Sequence, residues 1–350
     1  MASQRVTGLV ALAAGLLLVG CGTSATTAPT TSPTGVPLAT STPVPTLAGT
    51  TTFAVALPGP NAISNVSILG AMDALRAQGY TINTTNVADP NLIAQGMTQG
   101  TFQFTTGDTG VALRAIQAGA KMKIFGESVG DNWQIVALST IKECKDLKGR
   151  SVGVFAVGTF NDVSVRQYIS ANCPGTNINM LSLGNSVARA AAMLAGQLDA
   201  SPLFLNDAIT LLKAGGDRFH VLTSFTETLP DLRPSTMLVN TDFMTQNPGT
   251  VRAFLTAEVK EHRKLQSDAA YFKAQATKYV ENVDQTTLDQ VIKEWQRLRL
   301  FDPNGGLTAD NMNYTLQFFV GAGNILPGLK VEDVADLSVL NSVLDELGRQ

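Results

Sequence analysis

The chain has 350 residues, 44% of them hydrophobic and 15% charged, with a net charge of -3. That length supports a large core and two lobes or domains. The weak negative charge and the lack of a basic stripe with interleaved aromatics argue against nucleic-acid binding. Two histidines and three cysteines, with no CxxC or HExxH, leave little material for a metal site, and no cofactor is expected.

The first element is a leader. Arg5 is its positive region, and Leu9–Val19 is apolar or Gly, the length of a signal-peptide core. It is too short to cross a bilayer, which takes about 20 apolar residues. A buried core helix is the alternative, but nothing polar patterns another face. Leu18-Val19-Gly20-Cys21 resembles the bacterial lipobox, which implies cleavage before Cys21, lipid on Cys21 and a place on the outer face of the cell membrane. Gly22–Thr50 has no charge and is dominated by Thr, Ser and Pro. Such a stretch cannot bury enough apolar surface to order itself. Residues 1–20 are therefore expected to be a signal peptide and 21–50 a disordered tether.

From Thr51 the chain alternates strands and helices. Thr51–Leu57 reads as a strand and Ile63–Gln78 as a helix, with Ile63, Val66, Leu69, Met72 and Leu75 on one face. Tyr80–Val87 is a strand, Asp89–Gln99 a short helix, Thr101–Thr105 a strand, and Asp108 caps a helix to Ala118. Lys121–Glu127 and Gln134–Ser139 are two more strands. The alternation then restarts with Ser151–Val157, a helix from Gly158 through Ala171, and strands at Ile178–Leu183, Leu198–Pro202 and Phe219–Thr223. Helices over Ser186–Ala195 and Asn206–Ala214 lie among these strands. Met237–Asn240 is a return strand, and from Pro248 the chain is helical. The pattern predicts α/β units with mostly parallel sheets. Crossings are expected near Ala137–Lys142 and Ser224–Ser235. The first lobe would span 51–139 plus 236–350, and the second 140–235, joined by a two-segment hinge.

Four stretches carry a family resemblance: Gly100–Phe125, Asp146–Val154 (DLKGRSVGV), Ala188–Ala200 (ARAAAMLAGQLDA) and Asn240–Leu255 (NTDFMTQNPGTVRAFL). They are similar to the extracytoplasmic solute-binding proteins of ABC importers, in the group that binds nitrate, sulfonates, taurine or thiamine precursors (SsuA/TauA/NMT1-like). The resemblance implies a type II periplasmic-binding-protein fold, a small-molecule solute in the cleft, a membrane permease as partner, and a monomer.

Ligands of open α/β sheets bind beyond the strand ends. Five loops then bear the candidates: Pro60 and Asn61; Thr105, Thr106 and Asp108; Trp133; Gly158, Thr159, Phe160 and Asn161; Phe204 and Asn206. Gly158 permits close approach, and the N–H groups of Phe160–Asp162 could hold an oxyanion. Capping without a ligand is the alternative for Thr159, Asn161 and Asp108. Trp133 and Phe204 serve either as a stacking wall or as core. Asp108, Asp131, Asp162, Asp207 and Glu227 lie in or beside these loops, whereas Arg114 and Arg166 sit inside helices. That balance favours a zwitterion, an amine or a pyrimidine, with a sulfonate-like solute on helix N-termini still open.

Cys144 and Cys173 are candidates for a disulfide, because the strand from Ser151 runs away and the next helix runs back. Two free thiols are the alternative. No acid–base or nucleophile set stands out, so the chain reads as a receptor and not an enzyme. The rivals are an enzyme on the same fold and a solute sensor without a transporter.

Overall fold

The computed structural model describes residues 49–281 and 283–350. The expected signal peptide, Cys21 and all but the last two residues of the tether lie outside the described residues. In chain order the strands are β1 (Thr52–Pro58), β2 (Thr81–Val87), β3 (Phe104–Asp108), β4 (Met122–Val129), β5 (Trp133–Leu138), β6 (Ser151–Val154), β7 (Asn179–Ser182), β8 (Ala200–Phe204), β9 (Phe219–Ser224) and β10 (Ser235–Asn240). The first seven helices are α1 (Val66–Arg76), α2 (Pro90–Thr98), α3 (Thr109–Gln117), α4 (Phe160–Asn172), α5 (Ser186–Leu194), α6 (Leu205–Gly215) and α7 (Phe225–Thr228). The later ones are α8 (Thr241–Gln246), α9 (Pro248–Ser267), α10 (Ala269–Tyr279), α11 (Leu288–Arg297), α12 (Ala309–Gly321), α13 (Val331–Val334) and α14 (Ser338–Leu347). Among the described residues no helix is long and apolar enough to cross a membrane.

The strands form two five-stranded sheets, ordered β2-β1-β3-β10-β4 and β7-β6-β8-β5-β9. The two sheets share one design. In each, the fourth strand in the order runs antiparallel to its neighbours: β10 in the first, β5 in the second. Each of these strands has just come over from the other sheet.

That plan corrects the expected lobe boundary. Trp133–Leu138 pairs with β8 and β9, so it belongs to the second sheet and not to a first lobe ending at 139. The first crossing is Gly130-Asp131-Asn132, three residues of types that favour turns over strands. The second runs through α7 to Pro234. Four of the five strands in each sheet point the same way, as the mostly parallel pattern predicts, and the strand that crosses over is the one antiparallel member.

Local chemistry explains the elements. Val55, Ala56 and Leu57 of β1 are all buried, as in a strand covered on both faces. Phe254 of α9 stacks on Phe104 of β3 with centroids 4.4 Å apart, and Phe53 meets Phe104 edge-on at 5.1 Å. This aromatic cluster ties the C-terminal helices to the first sheet. Asp89 caps α2 by accepting the Asn91 N–H at 2.8 Å.

The third strand starts three residues later than expected, at Phe104. Thr101 and Phe102 instead fold back onto the Gly96 carbonyl, and the Gln103 side chain accepts the Ala54 N–H at 2.7 Å. Cys144 and Cys173 are joined by a disulfide, with Cα atoms 5.7 Å apart. It links the turn before β6 to the residue that ends α4.

Candidate functional site

A cleft of about 990 Å³ lies between the two sheets, lined by residues of both. It follows the carboxyl ends of β1, β2, β3, β4 and β8, the position where open α/β sheets bind ligands.

Of the twelve candidate contact residues, eleven line this cleft and Gly158 does not. Pro60 and Asn61 come from the turn after β1. The Asn61 amide donates to the Tyr279 carbonyl at 3.3 Å, while its Oδ1 is buried without a partner. The strand expected to end at Thr105 runs on to Asp108, so Thr106 is not in a loop. Thr105 and Thr106 are buried strand residues of β3, paired against β10. Asp108 caps α3 through the Val111 N–H at 3.0 Å. Its other oxygen accepts the Phe160 N–H, at the start of α4, at 2.6 Å.

The second sheet supplies the aromatic wall. Trp133 and Phe204 face each other with centroids 4.0 Å apart, and Phe160 lies 6.0 Å from Trp133. Thr159 and Asn161 line the cleft, yet neither side chain caps α4. Thr159 Oγ1 donates to the Ala156 carbonyl at 2.6 Å, and Asn161 Oδ1 accepts the Phe155 N–H at 2.8 Å. Asn206 donates to Asp207 Oδ1 at 2.8 Å. Gly158 adopts φ +80, a conformation that favours glycine. Its N–H donates to Asp162 Oδ2 at 2.8 Å, and its carbonyl accepts from Arg114 of α3.

The acids read from the sequence divide. Asp108 and Asp207 line the cleft, whereas Asp131, Asp162 and Glu227 do not. Asp162 pairs with Arg166 at 2.8 Å. The loops themselves were read as nearly free of Lys and Arg, and the basic group at the cleft comes from a helix: Arg189 of α5 lines it and is buried. It donates to Ser201 Oγ at 3.0 Å, to the Pro202 carbonyl at 2.9 Å and to the Gly184 carbonyl. Burial lowers its pKa to about 10, against the pull of the Asp207 charge. Burial in turn raises the Asp207 pKa, opposed by hydrogen bonds from Ser186 and Asn206 and by Arg189.

Arg189 was legible in principle. Arg189, Ala192 and Met193 are buried at helical spacing, which puts the arginine on the inward face. A second missed wall is the connection from α10 to α11, with Glu281, Asp284 and Thr287. It is fastened to α6 by Thr210 and Thr287, whose hydroxyls lie 3.3 Å apart, and by Lys213 to the Thr286 carbonyl at 2.9 Å. No periodicity marks such a connection as part of a site.

Apolar walls with a few placed polar groups suit capture of a small molecule. Both described histidines are engaged away from the cleft. His220 Nε2 is 2.6 Å from the Ile141 carbonyl, and His262 Nδ1 is 3.0 Å from that of Asp302.

The comparisons with known proteins agree with this geometry. The sequence profile of the NMT1/THI5-like family matches residues 76–260. No curated protein matches the chain. Among solved structures, the alkanesulfonate-binding protein SsuA from Xanthomonas axonopodis pv. citri, bound to MOPS, is 19% identical with a TM-score of 0.64. That match covers 82% of this chain and 99% of that one. The periplasmic nitrate-binding protein NrtA from Synechocystis PCC 6803 is 11% identical with a TM-score of 0.71, covering 86% and 90%. A ligand-binding component of an ABC-type import system from Staphylococcus aureus, with zinc bound, is 10% identical with a TM-score of 0.68, covering 83% and 98%. Identities this low establish the fold alone, which is the periplasmic-binding-protein fold. The profile spans more than half of the sequence, and the chain belongs to the NMT1/THI5-like family.

Proposed function

We propose that this chain is the solute-binding receptor of an ABC importer. It captures a small polar solute between its two lobes and delivers it to a membrane permease. The observation that carries this reading is the cleft of about 990 Å³, with walls from both sheets, which two chain segments connect. A solute that touches both walls draws the lobes together and makes a closed state the stable one. Family membership and the similar fold of importer binding proteins support the permease as partner. We take β1–β4, β10 and the C-terminal helices as one lobe and β5–β9 as the other.

The reading is one of binding, not turnover. Cys144 and Cys173 are tied in a disulfide, and both histidines are held outside the cleft. A solute consumed on incubation with the protein would overturn it. The solute belongs to a zwitterionic, amine-bearing, pyrimidine or sulfonate-like class, and needs no cofactor.

A thermal-shift screen tests the proposal with taurine, alkanesulfonates, nitrate, aminopyrimidines and polyamines. A true solute at a hundred times its Kd stabilises the native state by about 2.7 kcal/mol. No shift from any class contradicts the assignment.

The leader completes the proposal: Cys21 carries lipid, and the Thr/Ser/Pro tether lets a monomeric receptor reach its permease from the outer face of the membrane. Cys21→Ala is expected to release the protein into the soluble fraction. Retention on membranes after that change rules the anchor out.

A further inference from the structure

The first turn of α4 opens onto the cleft and presents backbone N–H groups, the arrangement that holds oxyanions. A group of the protein itself already sits there. Asp108, from the other sheet, places Oδ2 2.6 Å from the Phe160 N–H. Its Oδ1 accepts the Val111 N–H at 3.0 Å, so both oxygens are held and the carboxylate cannot swing aside freely. Arg114, further along α3, fixes the same junction. It donates to the Gly158 carbonyl and, at 2.6 Å, to Asn324 Oδ1.

The remaining charges favour the same outcome. The described lining holds four carboxylates, Asp108, Asp207, Glu281 and Asp284, against the single guanidinium of Arg189. Three Arg189 donors are already engaged by Ser201, Pro202 and Gly184. Burial raises the pKa of Asp108, opposed by the Phe160 and Val111 N–H groups and by Arg114, and it raises that of Asp207. As carboxylates these two would meet an incoming anion with like charge that water screens weakly, while Glu281 and Asp284 stand towards solvent. A neutral or cationic solute meets no such barrier.

We propose that Asp108 is the charge-selecting residue of the cleft: seated on the Phe160 N–H, it shuts oxyanions out of the start of α4 and leaves the cleft to neutral or cationic solutes. What passes this filter rests on the receptor reading; the filter itself does not. Within the solute classes of that reading, it removes the sulfonate-like one.

Calorimetric titration of the full chain with methanesulfonate tests this, using the unaltered protein, Asp108→Ser and Asp108→Asn. Serine keeps a hydroxyl able to cap α3, and asparagine keeps the shape without the charge. The unaltered protein is expected to bind methanesulfonate weakly or not at all. Asp108→Ser is expected to bind it about tenfold tighter or better, the scale of one charge-assisted hydrogen bond. Asp108→Asn is expected to fall between. The proposal is overturned if the unaltered protein binds methanesulfonate as tightly as Asp108→Ser does. It is equally overturned if a folded Asp108→Ser, checked by its melting transition, gains nothing. A protein that binds no member of the solute panel, yet gains methanesulfonate on Asp108→Ser, would sink the receptor reading and keep the filter. Tight binding of methanesulfonate by the unaltered protein would do the reverse.

Discussion

Asp131→Asn is expected to stabilise the protein at pH 8 and to have little effect near pH 4. Asp131 lies in the first crossing between the sheets and is buried. One oxygen accepts the Trp133 N–H at 3.0 Å, and the other has no partner. Burial pushes its pKa up to about 8 from 3.8, against the Trp133 N–H and the Arg233 charge and with the help of Glu127. In the unfolded chain the same carboxyl titrates at its ordinary value. Between pH 4 and pH 8 the native state therefore holds a proton that the unfolded state has released. Stability from this group is full below the unfolded pKa and is lost as pH rises towards the folded one. Asparagine mimics the protonated acid and does not titrate.

The difference in unfolding free energy between variant and parent then grows with pH. From pH 5 to pH 8 it grows by on the order of 3 kcal/mol. Other titrating groups are common to both proteins and cancel in the difference. Denaturant unfolding of both proteins across that range measures it. Parallel stability curves would show that Asp131 is ionised in the native hinge. The neighbourhood makes the effect mechanical as well as thermodynamic. Thr226 of the second crossing donates to the Asp131 carbonyl at 2.6 Å, and Arg233 pairs with Glu127 at 2.9 Å. The two crossing segments are thus bonded to each other where a hinge has to bend.

Loss of the Cys144–Cys173 bond is the second large effect expected. The bond closes a loop with a sequence separation of 29 and joins residues that are both buried. In the loop-entropy account, a loop of this size constrains the unfolded chain by about 3–4 kcal/mol. The double change to alanine is expected to lower stability by that order, with little change in the cleft, because neither cysteine lines it. Reductant is expected to lower the melting temperature of the parent and leave that of the double variant unchanged. A parent that melts at the same temperature with and without reductant would contradict the account.

Much of this architecture was legible because hydrophobic period and caps agree locally. Asp89 and Asp108 sit where the sequence puts helix starts, and Ser151 and Phe219 begin strands as read. What failed was pairing. Trp133–Leu138 looks the same in sequence whether it extends the first sheet or opens the second, since period 2 carries no partner information. The third strand was read as ending at Thr105, yet β10 gives Thr106, Gly107 and Asp108 antiparallel neighbours and extends it. The short α7 and α8 were not read as helices; each spans only one or two turns, too few for a helical period to show.

The site was legible to the same degree. Residues next to strand ends were found, because fold class dictates where those ends point. Arg189 was missed because its role depends on how α5 packs against β8. The wall with Glu281, Asp284 and Thr287 was missed because it comes from a distant part of the chain. Asp108 was read as a helix cap, and it is one. Its second bond, to Phe160, crosses between sheets and has no sequence signature.

The central claim is that a solute binds between the two sheets, against the Trp133–Phe204 wall. Its most direct test is to titrate a solute found by thermal shift into the full chain while following tryptophan emission. The account predicts a saturable one-to-one change in the parent. In Phe204→Ala it predicts binding weakened by about tenfold or more, the loss of one aromatic wall of the site. Undiminished affinity in Phe204→Ala, with tryptophan emission unchanged on binding, would mean that the solute sits elsewhere and the claim is wrong.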